Sequence, residues 1–441
     1  MTSRREVLLS TLFGTGYVGL RALATGLPAA LLMNPRRALA AVPEAGASAA
    51  AQGQFVILST SGSGDPLNAS VPGTYLDPNI VHSANPAMAP TSLTIGGGKY
   101  LAAAPWATLH QAVLDRTCFW HIATTTPVHP REPDVLKLMA DAQGAVKPAE
   151  MLPSILAAQL AGVLGTIQTQ PLCIGAATPS EGLTCNGQAL PIIPALALKA
   201  TLTSPTGPLT NLQALRDQTM NSLYGLYKNG ATSAQQAYID SLATSQTQVR
   251  NINQSLLNQL SSIKDNTATS QIVAAVALIR MKVAPVISIH IPFGGDNHSD
   301  PALQNETSQT VAGVQAIASL MSQLQAAGLA DQVTFMTLNV FGRTLGPTST
   351  NGRQHNPNHQ ASITIGKPFK GGVIGGVAPL EGDYGAITFD SKTGAASSGG
   401  DVPLAGSLPS FGKTMLAAVG ASASTVASQI QGGVVVTGAL A

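Results

Sequence analysis

Pro285-Val286-Ile287-Ser288-Ile289-His290-Ile291 runs, across Pro292-Phe293, into Gly294-Gly295-Asp296-Asn297-His298. The first part is a short apolar run of the kind that forms a strand buried on both faces, and the second is a polar exit loop. Beyond it, Val311, Val314, Ile317, Met321 and Leu324 recur at helical spacing. They predict a helix over 306–329 that stops near Gly328. Residues 333–338 form the next apolar run. A strand, a helix and a strand of these lengths predict a βαβ unit. The expected fold is therefore α/β, a βαβ sheet covered by helices on both faces.

Outward from this unit, residues 55–58, 119–123, 362–365, 386–389 and 434–437 also read as strands, and 409–419 as a short helix ended by Gly420. Residues 69–105 are rich in Pro and Gly and read as loops. Between about 209 and 283 the chain turns Gln-, Ser- and Asn-rich. There Ile239, Leu242, Val249, Ile252, Leu256, Leu260 and Ile263 sit at helical spacing. This predicts a helical insertion packed on the core; a partner-binding coiled coil is the other reading.

The N-terminus has the character of a targeting segment. Ser3-Arg4-Arg5-Glu6-Val7-Leu8-Leu9 resembles the twin-arginine export signal, an apolar stretch reaches Met33, and Ala38-Leu39-Ala40 offers a small-x-small cleavage site. Val7 and Leu9 stand where that motif prefers Phe and Lys. Arg21 interrupts the stretch, at a cost of roughly 2.5–3.5 kcal/mol for a membrane span. The expected division is an export signal over 1–40, a spacer over 41–53 and one domain over 54–441. No stable membrane span remains after cleavage, and the protein is periplasmic or secreted; an uncleaved anchor is the competing reading. In such an oxidising setting Cys173 and Cys185 can close the loop between them, a gain of roughly 3 kcal/mol. Cys118 reads as a buried thiol, and no cysteine has zinc-ligand spacing. Only 10% of the 441 residues are charged and the net charge is +2. That is no electrostatic footprint for nucleic acid.

Four strand exits carry polar side chains: Asp65; His129; Asp296 with His298; and Arg343 with His355 and His359. Functional sites of open α/β sheets lie where such exits converge. Carboxylate and imidazole together are ligands for zinc or manganese, which polarise phosphoryl or sulfuryl oxygens. Asp65, Asp296, His298, His355 and His359 are thus candidate ligands of a divalent metal. The fork of Arg343 matches a tetrahedral anion. A hydroxyl among Ser59, Thr60, Ser61 and Ser63, with Ser61 and Ser63 foremost, is a candidate nucleophile. Each residue also has a structural reading. Asp65 can stabilise the turn at Pro66, Asp296 and His298 can cap the segment from Ser299 onward, and Arg343 can bind carbonyls at a strand end. His129 can belong to a Pro-flanked loop, while His82, His110 and His290 read as packing or surface residues. Gly96-Gly97-Gly98 is a weak phosphate-loop candidate.

At these motifs the chain resembles the bacterial family catalogued as domain of unknown function 1501, grouped with the alkaline-phosphatase-like (sulfatase-like) α/β fold and often bearing twin-arginine signals. Gly62-Ser63-Gly64-Asp65-Pro66-Leu67-Asn68 is similar to the family's Gly-Gly-x-Asp-Gly-Leu-Asn turn. Gly294-Gly295-Asp296-Asn297-His298 partly matches Gly-Trp-Asp-Thr-His, and Val340-Phe341-Gly342-Arg343-Thr344 matches Glu-Phe-Gly-Arg-Thr. Gln354-His355 faces Asp-His, and Lys370-Gly371-Gly372 a Lys-Gly-Gly stretch. Val340 and Gln354 stand where the family has carboxylates. The resemblance implies an alkaline-phosphatase-like α/β domain, its sheet mixed, mostly parallel and flanked by helices, and a metal-dependent hydrolase ancestry, acting on a small anionic ester. A non-catalytic periplasmic or cell-surface protein with an extracytoplasmic partner is the alternative.

Overall fold

The structure is a computed structural model. It describes residues 53–138, 150–166, 168–176, 182–203, 213–233, 235, 236, 239, 240, 243, 254–346 and 351–441. The expected export signal, nearly all of the spacer and about a quarter of the expected helical insertion lie outside these residues; within the insertion, Gln213–Lys228 and Gln254–Ser261 are helices.

Seven strands form the main sheet: β1 (Phe55–Ser61), β2 (Thr117–Ile122), β3 (Leu172–Cys173), β4 (Val286–Ile289), β5 (Val333–Asn339), β6 (Gln360–Ile365) and β7 (Gly372–Ile374). Their order is β7-β2-β6-β5-β1-β4-β3. β1 pairs in parallel with β4 and β5, β3 with β4, and β7 with β2, whereas β6 is antiparallel to both its neighbours. All strands but β6 therefore point one way, and their C-terminal ends share one edge of the sheet. The α/β class with a mostly parallel sheet stands.

β1 explains why a continuous apolar run was needed. Phe55 and Ile57 join one buried core and Val56 and Leu58 the other, so alternate side chains serve opposite faces. The first core is covered by α2 (Ala268–Arg280) and α3 (Gln304–Ala326), the second by α1 (Leu152–Leu164) and α4 (Ser407–Ala418). α2 is buried from Ser270 to Ile279 and leads directly into β4. The helix thus belongs to the sheet's own cover, although it falls inside the stretch read as an insertion. Among the described residues, no helix is long and apolar enough to cross a membrane.

Several local expectations are corrected. Residues 69–105 contain a hairpin, Pro90–Ile95 against Gly98–Ala103, and Gly96-Gly97 is its turn rather than a phosphate loop. Only Leu93 and Ile95 of its first strand are buried, too weak an alternation to register as a strand. Residues 386–389 are not a strand: Asp383–Ala386 pairs with Val377–Leu380 in a small separate hairpin, and Phe389 makes isolated bridges. Residues 434–437 are not one either. The Val434 and Val436 N–H groups donate to the Ser410 and Thr414 hydroxyls of α4, which replace a partner strand. Cys118, Cys173 and Cys185 are thiols, so the 173–185 cross-link is not made. Cys173 lies buried on β3 with its thiol toward the Gly175 carbonyl, while Cys185 sits on a separate short hairpin.

His121 on β2 and His359 before β6 are both fully buried and stacked, with ring centroids 5.1 Å apart. A single hydrogen-bond direction satisfies both as neutral rings. Asn68 Nδ2 donates to His359 Nδ1 (3.2 Å), His359 Nε2 to His121 Nδ1 (2.8 Å), and His121 Nε2 to the Pro72 carbonyl (2.8 Å). Burial pushes His121 down to about 4 and His359 well below its ordinary value. An unfolded histidine takes up its proton near pH 6.5, so the unfolded state binds protons that the folded state refuses. Stability should be full above that pH and fall as pH drops toward 4, by about 3 kcal/mol from His121 alone. Urea unfolding between pH 4 and 7.5 checks this. His359→Gln should flatten the slope, and an unchanged slope would refute the assignment.

Candidate metal centre

Four exits of the sheet's C-terminal edge meet over the end of β1. Three successive carbonyls of its exit loop face donors from other segments. Gly62 O accepts from His129 Nδ1 (2.7 Å), Ser63 O from Arg343 Nη2 (2.6 Å) and Gly64 O from Arg343 Nε (2.5 Å). Above them, Gly294 and Gly295 adopt φ of +108° and +51°, a left-handed turn that returns the β4 exit over this loop. A Cβ on Gly294 would lie 2.7 Å from Pro66 Cγ, so the approach also requires the missing side chain.

The side chains so placed form one cluster: His129, Asp296, His298 and His355, whose potential ligand atoms all lie within 4.8 Å of one another. His298 Nε2 is 2.8 Å from His355 Nε2 and 3.2 Å from Asp296 Oδ1, and His129 Nε2 is 3.6 Å from Asp296 Oδ2. His129 and His355 each donate Nδ1–H to a backbone carbonyl, Gly62 and Pro127 (2.5 Å) respectively. Those bonds fix the tautomer and leave Nε2 as the lone-pair nitrogen aimed into the cluster, the usual outer-shell arrangement of metal-binding histidines. Burial holds His355 below its ordinary value, against the Pro127 carbonyl, with Arg343, His129 and His298 adding to the lowering. Phe341 packs beneath, its ring centroid 4.4 Å from that of His355 and 5.0 Å from that of His129.

Tetrahedral zinc with nitrogen ligands at 2.0–2.1 Å places neighbouring donors about 3.3 Å apart. The His298–His355, His298–Asp296 and His129–Asp296 separations, 2.8, 3.2 and 3.6 Å, bracket that spacing. Three imidazoles and one carboxylate suit zinc better than manganese, which favours oxygen donors. Asp296 is about half exposed, so the cluster opens to solvent.

Of the residues singled out from sequence, Asp296, His298 and His355 are brought together. His129, given there as a strand-exit histidine without a ligand assignment, is the fourth member. Its only sequence signal was its place after the buried 119–123 run. Asp65 is outside the cluster, 2% exposed, and accepts the Ser61 hydroxyl at 3.2 Å. His359 is outside it too, in the core with His121. Ser61 is buried and also accepts the Ser63 N–H, whereas Ser63 is half-buried at the loop tip beside Gly295.

Arg343 has no exposed side-chain surface. Besides the two β1-loop carbonyls it reaches Gly295 O (3.3 Å) and Asp296 Oδ1 (3.0 Å), with Nη1 3.4 Å from His298 Nε2. Burial lowers its pKa, opposed first by Asp296 and then by Asp65 and Glu306. In this arrangement the guanidinium binds carbonyls at a strand end and ties two exit loops together. It presents no open fork to an anion.

Residues 187–386 match the model of a family described as Protein of unknown function (DUF1501). The matched stretch carries Asp296, His298, Arg343 and His355, while His129 and the β1 exit lie before it. No curated protein matches the chain.

Arg343→Met should leave Asp296 and three carbonyls without their donor. The half-exposed Asp296 carboxylate regains water, whereas orphaned carbonyls at this packed loop junction cost about 1–3 kcal/mol each. Guanidinium unfolding measures it, and a loss under about 1 kcal/mol would show that the guanidinium does not hold these loops.

Proposed function

We propose that this chain is an exported, metal-dependent hydrolase that acts on a phosphate or sulfate ester. His129, Asp296, His298 and His355 hold one divalent ion, zinc before manganese. The observation that carries the reading is the convergence of three imidazole Nε2 atoms on one carboxylate, with two rings pinned through Nδ1 by backbone carbonyls. The bound ion supplies Lewis acidity toward a phosphoryl or sulfuryl oxygen.

The chain's own residues supply the rest. Ser63, at the tip of the β1 exit loop, presents the hydroxyl for attack. Ser61, buried against Asp65, instead supports the loop through the Ser63 N–H. Arg343 holds Asp296 by one oxygen, and Phe341 excludes water from the floor. Support for an alkaline-phosphatase-like fold comes from the mostly parallel sheet, with its candidate centre at the C-terminal edge. Twin-arginine export to the periplasm or beyond rests on Ser3-Arg4-Arg5 and the apolar stretch after it.

A second reading, a non-catalytic periplasmic or cell-surface binding protein, is favoured by one observation. Val340 is buried in the core and Gln354 is exposed, so Asp296 is the single carboxylate of the cluster and is already paired with Arg343.

Plasma mass spectrometry of the purified protein separates the two. The expected result is about one zinc per chain, lost in Asp296→Ala/His355→Ala, with hydrolysis of 4-nitrophenyl phosphate or sulfate that disappears with the metal. Protein that takes up no zinc or manganese even in excess would leave the binding-protein reading standing.

A further inference from the structure

We propose that the buried pair Arg353–Glu306, bridged by Asn297, is the positioning device that sets the separation of the ligand-bearing loops. The proposal rests on the metal reading above. Arg353 and Glu306 are 2% and 1% exposed. The fork is bidentate: Arg353 Nε donates to Glu306 Oε2 at 2.6 Å and Nη2 to Oε1 at 3.0 Å. The remaining side of the guanidinium donates to the Thr344 and Val81 carbonyls, both at 2.8 Å.

Asn297 is held at both ends by this pair. Its Nδ2 donates to Glu306 Oε2 (3.1 Å), and its carbonyl accepts the Arg353 N–H (3.2 Å). Asn297 lies between Asp296 and His298, and Arg353 is two residues before His355. The same hydrogen-bonded unit thus grips the loop that carries two of the clustered residues and the loop that carries a third. Glu306 is fixed in turn, because Asp300 accepts the N–H groups of Asn305 and Glu306, both at 2.9 Å. The loops also meet at backbone distance. Gly352 has φ +143°, and a Cβ there would lie 2.1 Å from the Asn297 carbonyl oxygen. The 2.8 Å contact of His298 Nε2 with His355 Nε2 is the geometry that this seam sets.

None of these residues reaches the cluster itself, so their role is positioning. Outer-shell partners of metal ligands act in this way, and their loss typically lowers metal affinity by 10–100-fold.

Two variants test it. Arg353→Met/Glu306→Leu removes both charges together and leaves no orphaned ion. Gly352→Ala pushes the loops apart without touching a charge. Two quantities are read: zinc affinity by competition with a chromophoric chelator, and the 15N–15N coupling across the His298–His355 contact in metal-free protein labelled at the imidazoles. The wild type should show the coupling. Both variants should lose it and bind zinc roughly 10–100-fold more weakly. Folded variants that keep the coupling, with zinc affinity within about two-fold, would overturn the proposal. A wild type with the coupling but no zinc binding would overturn the metal reading alone, and the variants' couplings would still decide the positioning role. If both variants fail to fold, Asn297→Ala, which removes one bond to Glu306, should show a smaller change in the same direction; no change would again overturn it.

Discussion

A guanidinium that no water reaches must find its acceptors within the protein, and the site edge of this molecule is arranged around that requirement. Arg343 follows β5 directly and is wholly enclosed. An unsolvated charge there is tolerable only if hydrogen-bonded and paired. Its acceptors are two carbonyls of the β1 exit and the carbonyl and carboxylate of Gly295 and Asp296. The exits of β1 and β4 therefore cannot take independent conformations. With His129 bonded to Gly62, the β2 exit is drawn to the same loop.

The chemistry of the cluster depends on which ring nitrogen is occupied. A histidine offers one lone pair when neutral, and the Nδ1 bonds of His129 and His355 direct that lone pair inward. Only one carboxylate accompanies the three rings, and the Arg343 charge lies against it. Such a donor set has less negative charge than an oxygen-rich one, and a cation bound there would be selected by nitrogen affinity and geometry. The absence of carboxylates at 340 and 354, visible in the sequence, thus has a specific consequence for the donor set.

The strands that organise the site were legible because their burial on both faces leaves an unbroken apolar run. β1, β4 and β5 are all of this kind, and the helix between β4 and β5 announced itself by its spacing. The limits were of two sorts. Val434-Val435-Val436 has the composition of a strand, but α4 hydroxyls supply its hydrogen-bond partners, and no local pattern encodes a partner from elsewhere. At the site, sequence marks which polar residues leave a strand but not which way they turn. Asp65 and His359 stand beside cluster-forming segments and point into the interior, Asp65 to Ser61 and His359 to His121. His129 carried the same signal as His359 and turns the other way. The pairing of Arg353 with Glu306 had no sequence signal, since an ion pair across 47 positions leaves no mark on either segment.

The distribution of buried charge argues that this edge has a function. The chain is poor in charged residues, at 10%, and Asp, Glu and Arg are among the residue types least often enclosed. Yet Asp65, Glu132, Asp300, Glu306, Arg343 and Arg353 are all at most 2% exposed. Each lies in a segment after the C-terminal end of β1, β2, β4 or β5. A fold held by two apolar cores does not need such groups for cohesion, because well-packed apolar residues in place of a buried ion pair are often as stabilising or more so. What hydrogen-bonded charges provide is a fixed direction, and loops are the elements that lack one. Their concentration where four loops converge is what a site requires when its geometry must be held by loops rather than by strands and helices.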